Sequence, residues 1–185
     1  MEFTLYYRGA LKGNGDPRAK HDLRKIVHQQ LKILWEQFPL LEVRSDLLSP
    51  NPRPGEVSLL VSRGGFNFAP LVSEKFRVFA ELKITLLRPG PPGSILAPGG
   101  DIDNRLKTLF DALKVPEPGA LPAGASPAPD EDPFFCLMED DKLIHAVSVS
   151  TDQLLDSAAT RADVVLLIYV KTRVAGMTWG NAIFA

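Results

Sequence analysis

Between Asp101 and Lys114 the chain reads DIDNRLKTLFDALK, which sets carboxylates, an amide and lysine at helical spacing. Asp103, Asn104, Lys107 and Asp111 fall at i, i+1, i+4 and i+8 and share one side of a helix. Ile102, Leu106, Leu109, Phe110 and Leu113 share the other and should dock on a core. Asp101 stands at or just before the helix start. Further along, Asp140 and Asp141 follow Glu139 and the apolar FFCLM, and open an alternating strand. Oxygen donors, a hydrogen-bonding amide and a phosphate-reaching cation are what metal-assisted chemistry at a phosphodiester requires. If Asp101, Asp103 and Asp141 converge, two carboxylates ~4 Å apart repel by ~4 kcal/mol at an effective dielectric of 20. A bound cation removes that cost, and oxygen ligands without Cys or His select a hard ion such as Mg²⁺. The same helix also has a purely structural account. Asp101 or Asp103 caps the free N–H groups, and Asp103–Lys107 and Lys107–Asp111 are i,i+4 pairs worth a few tenths of a kcal/mol.

The elements that must hold these residues follow from periodicity. Phe3 to Arg8 reads as a strand and Asp22 to Phe38 as an amphipathic helix, ended by Pro39. SPNPRPG (49–55) is a loop. A short strand at Val57 to Ser62 turns through GGF (64–66) into a partner near Asn67 to Leu71, and Phe76 to Leu87 makes a long strand. RPGPPGSILAPGG (88–100) is irregular and leads into the acidic helix. Residues 115–133, rich in Pro, Ala, Gly and acid, read as a mobile or disordered insertion. Lys142 to Ser150 alternates, with Leu143, His145, Val147 and Val149 on one face. Asp163 to Val170 is a buried strand, and the tail from Lys171 adds an edge strand or a partner contact. The expected fold is α+β: one domain over 1–185, a single mixed β-sheet and two main helices.

Composition narrows the classes. With 45% hydrophobic and 23% charged residues, and no apolar run near the ~20 residues that span a bilayer, a soluble cytoplasmic protein is expected, with no membrane partner. The N-terminus lacks the pattern of a secretory leader, and the lone Cys136 allows no internal disulfide. Net charge is −1 but uneven. Residues 1–32 carry seven Lys/Arg against three acids, whereas 130–156 carry eight acids against Lys142 alone. That asymmetry is compatible with a basic binding face beside an acidic catalytic one; from charge alone, a solvated helix face and an acidic loop account for it more simply.

The pairing of DIDNRLKTLFDALK with a downstream EDDKLI resembles the RusA family of Holliday junction resolvases, whose members carry a D-x-D-N-x-x-K helix and a later D-D turn before a strand. By position, the resemblance implies that Asp101, Asp103 and Asp141 are the metal-binding catalytic aspartates and Lys107 the active-site lysine, with Asn104, Asp111 and Asp140 supporting. It implies a RusA-like endodeoxyribonuclease: a homodimer dependent on Mg²⁺, with Mn²⁺ as a substitute, cleaving branched DNA in recombination and repair. Arg18, Lys20, Arg24 and Lys25 are the expected contacts to the DNA backbone. The alternative is a module of the same fold that binds nucleic acid or protein without cleaving it.

Other chemistries find less support. His21, His28 and His145 have no partner at metal spacing and are expected to be structural. No nucleophile elbow or phosphate-loop pattern is present. Tyr6, Tyr7 and Trp35 are expected to pack, and Cys136 to be buried and inert.

Overall fold

The computed structural model describes residues 1–90, 102–160, 162–178 and 180–185. The first strand, β1 (Glu2–Ala10), leads into α1 (Pro17–Trp35). This helix starts five residues earlier than its apolar pattern suggests, because Asp16 caps it and Pro17 takes the first turn. Asp16 Oδ1 accepts the Ala19 N–H at 2.8 Å. A second helix, α2 (Leu40–Leu47), begins immediately after Pro39, in a stretch between the first helix and the 49–55 loop to which no element was assigned from the sequence. Then come β2 (Val61–Arg63), β3 (Phe66–Val72), β4 (Val78–Arg88), α3 (Ile102–Leu113) and β5 (Phe134–Met138). A 3-10 turn at Asp141–Leu143 opens β6 (Ile144–Gln153), and β7 (Asp163–Val174) follows.

The fold is α+β, but the single sheet and two helices of the expectation are corrected to two mixed sheets and three α-helices among the described residues. The larger sheet runs β1-β7-β4-β6, antiparallel except for the parallel β4–β6 pair. That parallel pair requires a crossover, and α3 lies on it. The smaller sheet runs β2-β3-β5, with β3 and β5 parallel. The sheet division follows from β5, whose five residues are all buried and show no alternation for sequence to reveal.

Val78, Ala80, Leu82, Ile84 and Leu86 of β4 meet Val164, Leu166, Ile168 and Val170 of β7 in the main core. Leu23, Val27, Leu31 and Trp35 of α1 close over it. A second cluster, Phe66, Phe68, Val115, Phe134 and Cys136, lies around the smaller sheet, with Leu121 packed against it. Trp35 and Tyr7 are core residues as expected, whereas Tyr6 is exposed. Cys136 is buried, and burial pushes its thiol pKa up, which disfavours the reactive thiolate.

The 115–133 segment is irregular but not the detached excursion its composition suggests. The Val115 N–H donates to Met138 O at 3.0 Å, so the start of the segment is tied to the far end of β5. Glu131 is buried, accepts the Ala128 N–H at 2.9 Å and pairs with Lys25 at 3.2 Å. Among the described residues the tail forms no strand beyond Val174. Instead it folds back as a 3-10 turn (Ala182–Phe184) whose Phe184 enters the main core.

Candidate active site

Helix α3 is held by the face its sequence dictates. Leu109, Ala112 and Leu113 are buried, with Leu106 and Phe110 packed against the core. Each fully buried leucine stabilises the docking by about 1.5–3 kcal/mol. Thr108 is also buried, which its polarity did not suggest. Its hydroxyl is fully used: it donates to Asn104 O at 3.1 Å and accepts the Gly15 N–H at 2.9 Å. A Cβ at Gly15 would lie 2.7 Å from Thr108 Cγ2, so the Gly-rich loop after β1 reaches this close to α3 only as glycine. Arg105 Nη1 ties the same loop by donating to Leu11 O at 2.6 Å.

The polar stripe divides into two ends. At the C-terminal end Asp111 accepts from Lys20 Nζ at 2.8 Å, and its backbone carbonyl accepts from Arg24 Nη2 at 2.7 Å. Just beyond the helix, Lys114 is only 12% exposed and sits among Asp141 (3.2 Å), Glu117 (3.8 Å) and Asp111 (3.9 Å). Burial opposes the Lys114 charge, but the hydrogen bond to Asp141 and the carboxylates around it outweigh burial and raise its pKa. The D-D turn is thus docked on the end of α3. Asp140 serves as the cap of the 3-10 turn, accepting the Lys142 N–H at 2.9 Å, and that bond, helped by the Lys114 charge, holds its carboxyl below the usual range. Glu139 accepts from Ser73 Oγ at 2.7 Å. A cleft of about 150 Å³ flanks the turn, lined by Arg63, Glu74, Glu117, Glu139, Asp140 and Lys142.

At the N-terminal end Asp103 and Lys107 are exposed and bond to no described residue, so neither expected i,i+4 pair forms. Asp111 is taken by Lys20 and Lys114 instead. Eight residues of helix rise place Asp103 about 12 Å from Asp111 along the axis. Asp101 lies outside the described residues. Among the described residues, no group of three His, Cys, Asp or Glu side chains is placed to hold a metal ion. Asp111, Glu117 and Asp141 thus come together around Lys114, whereas Asp103, Asn104 and Lys107 lie on the preceding turns of the same helix, so Asp141 and Asp103 of the expected ligand set are not brought together.

The basic residues need one correction. Arg24, expected against DNA, is 1% exposed and spent on Asp111 O, with His21 Nδ1 at 3.4 Å. Burial pushes its guanidinium down to about 10, so it remains charged at neutral pH. Spacing carried the signal: Arg24, His28, Leu31 and Trp35 share the i, i+4, i+7 face that α1 buries. Lys20 and Lys25 are paired, and Arg18 alone of the four is exposed without a described partner. Lys12 is exposed in the loop that α3 holds.

His21 and His28 are buried, as expected of structural histidines, and His145 is exposed. His28 Nδ1 accepts the Phe135 N–H at 2.8 Å and its ring stacks on Phe134 at 4.4 Å, pinning β5 to α1. Lys114 is the residue that sequence reasoning missed. Its i+3 offset from Asp111 was legible, but its meeting with Asp141 depends on the unread strand β5. Among the described residues no helix is long and apolar enough to cross a membrane. No family model, curated protein or solved structure matches the chain.

Proposed function

We propose that the chain is a RusA-like, Mg²⁺-dependent endonuclease that cleaves phosphodiesters in branched DNA as a homodimer. The observation that carries this reading is the Lys114–Asp141 ion pair at 3.2 Å, which seats the D-D turn against the D-x-D-N-x-x-K helix despite 24 intervening residues from 115 to 138. The donor set is compatible in kind with a hard divalent ion: every candidate ligand is a carboxylate oxygen, and Asp103 is unengaged among the described residues. Asp103, with Asp101 two residues before it in sequence, would hold the ion, which when bound polarises the phosphate and activates water, whereas Asp141, paired with Lys114 at the other end of the helix, stands apart from Asp103 in this structure.

The remaining work falls to the chain itself. Lys107, exposed one turn beyond Asp103, is free to meet a phosphate oxygen and the negative charge that grows on it. Lys12 and Arg18 flank the Gly15 contact with α3 and supply further positive charge along a nucleic-acid backbone. Asp111 and Lys20 fix α3 against α1.

The second reading is a binding module of the same fold without nuclease activity. It is favoured by the way Lys114 and Lys20 already neutralise Asp141 and Asp111. The test offers purified protein with Mg²⁺ a four-way junction, linear duplex and single-stranded RNA, beside Asp103→Asn. Paired symmetric nicks in the junction, lost in the variant, are expected. Tight junction binding without metal-dependent cleavage would select the binding module.

A further inference from the structure

The four-stranded sheet has two edges, β1 and β6, and they are finished differently. An edge strand leaves alternate N–H and C=O groups without a ladder partner. On β1, α1 supplies one: Gln30 Oε1 accepts the Tyr6 N–H at 2.8 Å, and Gln30 Nε2 donates to Tyr6 O at 2.8 Å. The carboxamide bonds both peptide groups of Tyr6 as a neighbouring strand would. A further bond from Nε2 to Ile26 O at 3.1 Å fixes the plug on its own helix.

Among the described residues, β6 has no such plug. It pairs with β4 on one side, and on the other its peptide groups from 145 to 152 meet no described residue. Its sequence, IHAVSVSTDQ, contains no Lys or Pro, and Asp152 is its one formal charge at neutral pH. The one irregularity is a register shift opposite Ala80 and Glu81, at the start of the strand, which leaves 146–153 in regular pairing. Val147 is paired with buried Leu82 and so faces the core side of the sheet, yet it remains 47% exposed because no described residue covers it.

We infer that the β6 edge is where two copies of this chain join, strand against strand and antiparallel, about a two-fold axis at Ser148. That axis sets Val147 of each copy opposite Val149 of the other on the core face. On the other face Ala146 lies opposite Ser150, and Ser148 meets its own copy. The two Asp152 carboxylates fall at opposite ends of the joined strands, so no like charges face one another. Each side chain of the edge finds its complement within the edge itself, whereas a foreign segment would find only His145 and Asp152 to select it. Joining at β6 turns two four-stranded sheets into one of eight and covers the exposed valine on both sides. This gives the surface for the homodimer of the proposed function, and rests on that reading only for the number of copies.

Sedimentation velocity on the full chain tests it, with Val147→Lys and Ser148→Lys as edge variants, Thr4→Lys on β1 as control, and circular dichroism to verify folding. A monomer–dimer equilibrium is expected whose Kd rises at least ~tenfold in each edge variant and stays put in the control. Amides within 146–150 should exchange more slowly in the dimer. A monomer at all concentrations up to the order of 100 µM, or a dimer indifferent to both lysines, overturns the inference. Junction cleavage measured on the same samples separates the two claims. Lysine-sensitive dimers without metal-dependent cleavage leave the edge standing and remove the nuclease, and cleavage by lysine-indifferent dimers does the reverse.

Discussion

The two ends of α3 carry the same kinds of residue to opposite effect. At the C-terminal end every charge has a partner: Asp111 with Lys20, and Asp141 with Lys114, itself almost buried. At the N-terminal end Asp103 and Lys107 stand exposed and unpaired among the described residues. Charges that satisfy one another hold a helix in place, and charges left open are available to an ion or a phosphate. A single amphipathic helix thus separates paired charges from open ones along its length, about 12 Å from Asp103 to Asp111.

Breaking the anchored end should give the largest change in stability. Lys114→Met removes the cation between Asp111 and Asp141 and leaves their carboxylates facing an apolar side chain. The pair is partly solvated, so a loss of about 1–2 kcal/mol is expected, read as a lower urea midpoint. An unchanged midpoint would mean that Lys114 does not tie the D-D turn to the helix.

The seam between the two ends is the Gly15–Thr108 contact. Gly15→Ala places a methyl 2.7 Å from Thr108 Cγ2, a buried side chain whose hydroxyl is already committed. A cost of about 1 kcal/mol or more is expected. Adding Thr108→Ser, which deletes the clashing methyl and keeps the hydroxyl, should restore most of it. Failure of the serine to rescue would place the strain elsewhere.

Acid should loosen the anchored side as well. Burial lowers the pKa of His28 and of His21, His28 being the ring that holds the Phe135 N–H. Both are neutral in the folded chain and protonate more readily in the unfolded one. Their contribution is therefore fully present above about pH 6.5 and declines as pH falls below it toward their lowered folded values. The urea midpoint should drop between about pH 7.5 and pH 5, and His28→Asn should flatten that drop. A wild-type midpoint that does not move contradicts the assignment.

The smallest stability effect belongs to the open end. Lys107→Ala touches no described partner and should shift stability by no more than about 0.5 kcal/mol, while lowering junction cleavage by at least ~tenfold. Equal losses of stability and cleavage would mean that Lys107 is structural.

How much of this was legible in the sequence varies with the kind of signal. The docked face of α3 was plain because Leu106, Leu109 and Leu113 repeat at helical period around one core. β5 was opaque because FFCLM is buried on both faces, and an unbroken apolar run has no period. With β5 hidden, the second sheet and the meeting of Lys114 with Asp141 were hidden too. The 115–133 segment looked mobile by composition, but its order comes from long-range bonds at Val115 and Glu131 that no local window contains. Arg24 looked like a surface cation until its spacing from His28 and Trp35 is counted.

The division of α3 is tested most directly by junction cleavage with Mg²⁺ in Asp103→Asn. The expected result is a fold of unchanged stability and a loss on the order of 10³-fold in cleavage, about 4 kcal/mol of transition-state stabilisation. Cleavage at the wild-type rate by Asp103→Asn would contradict it.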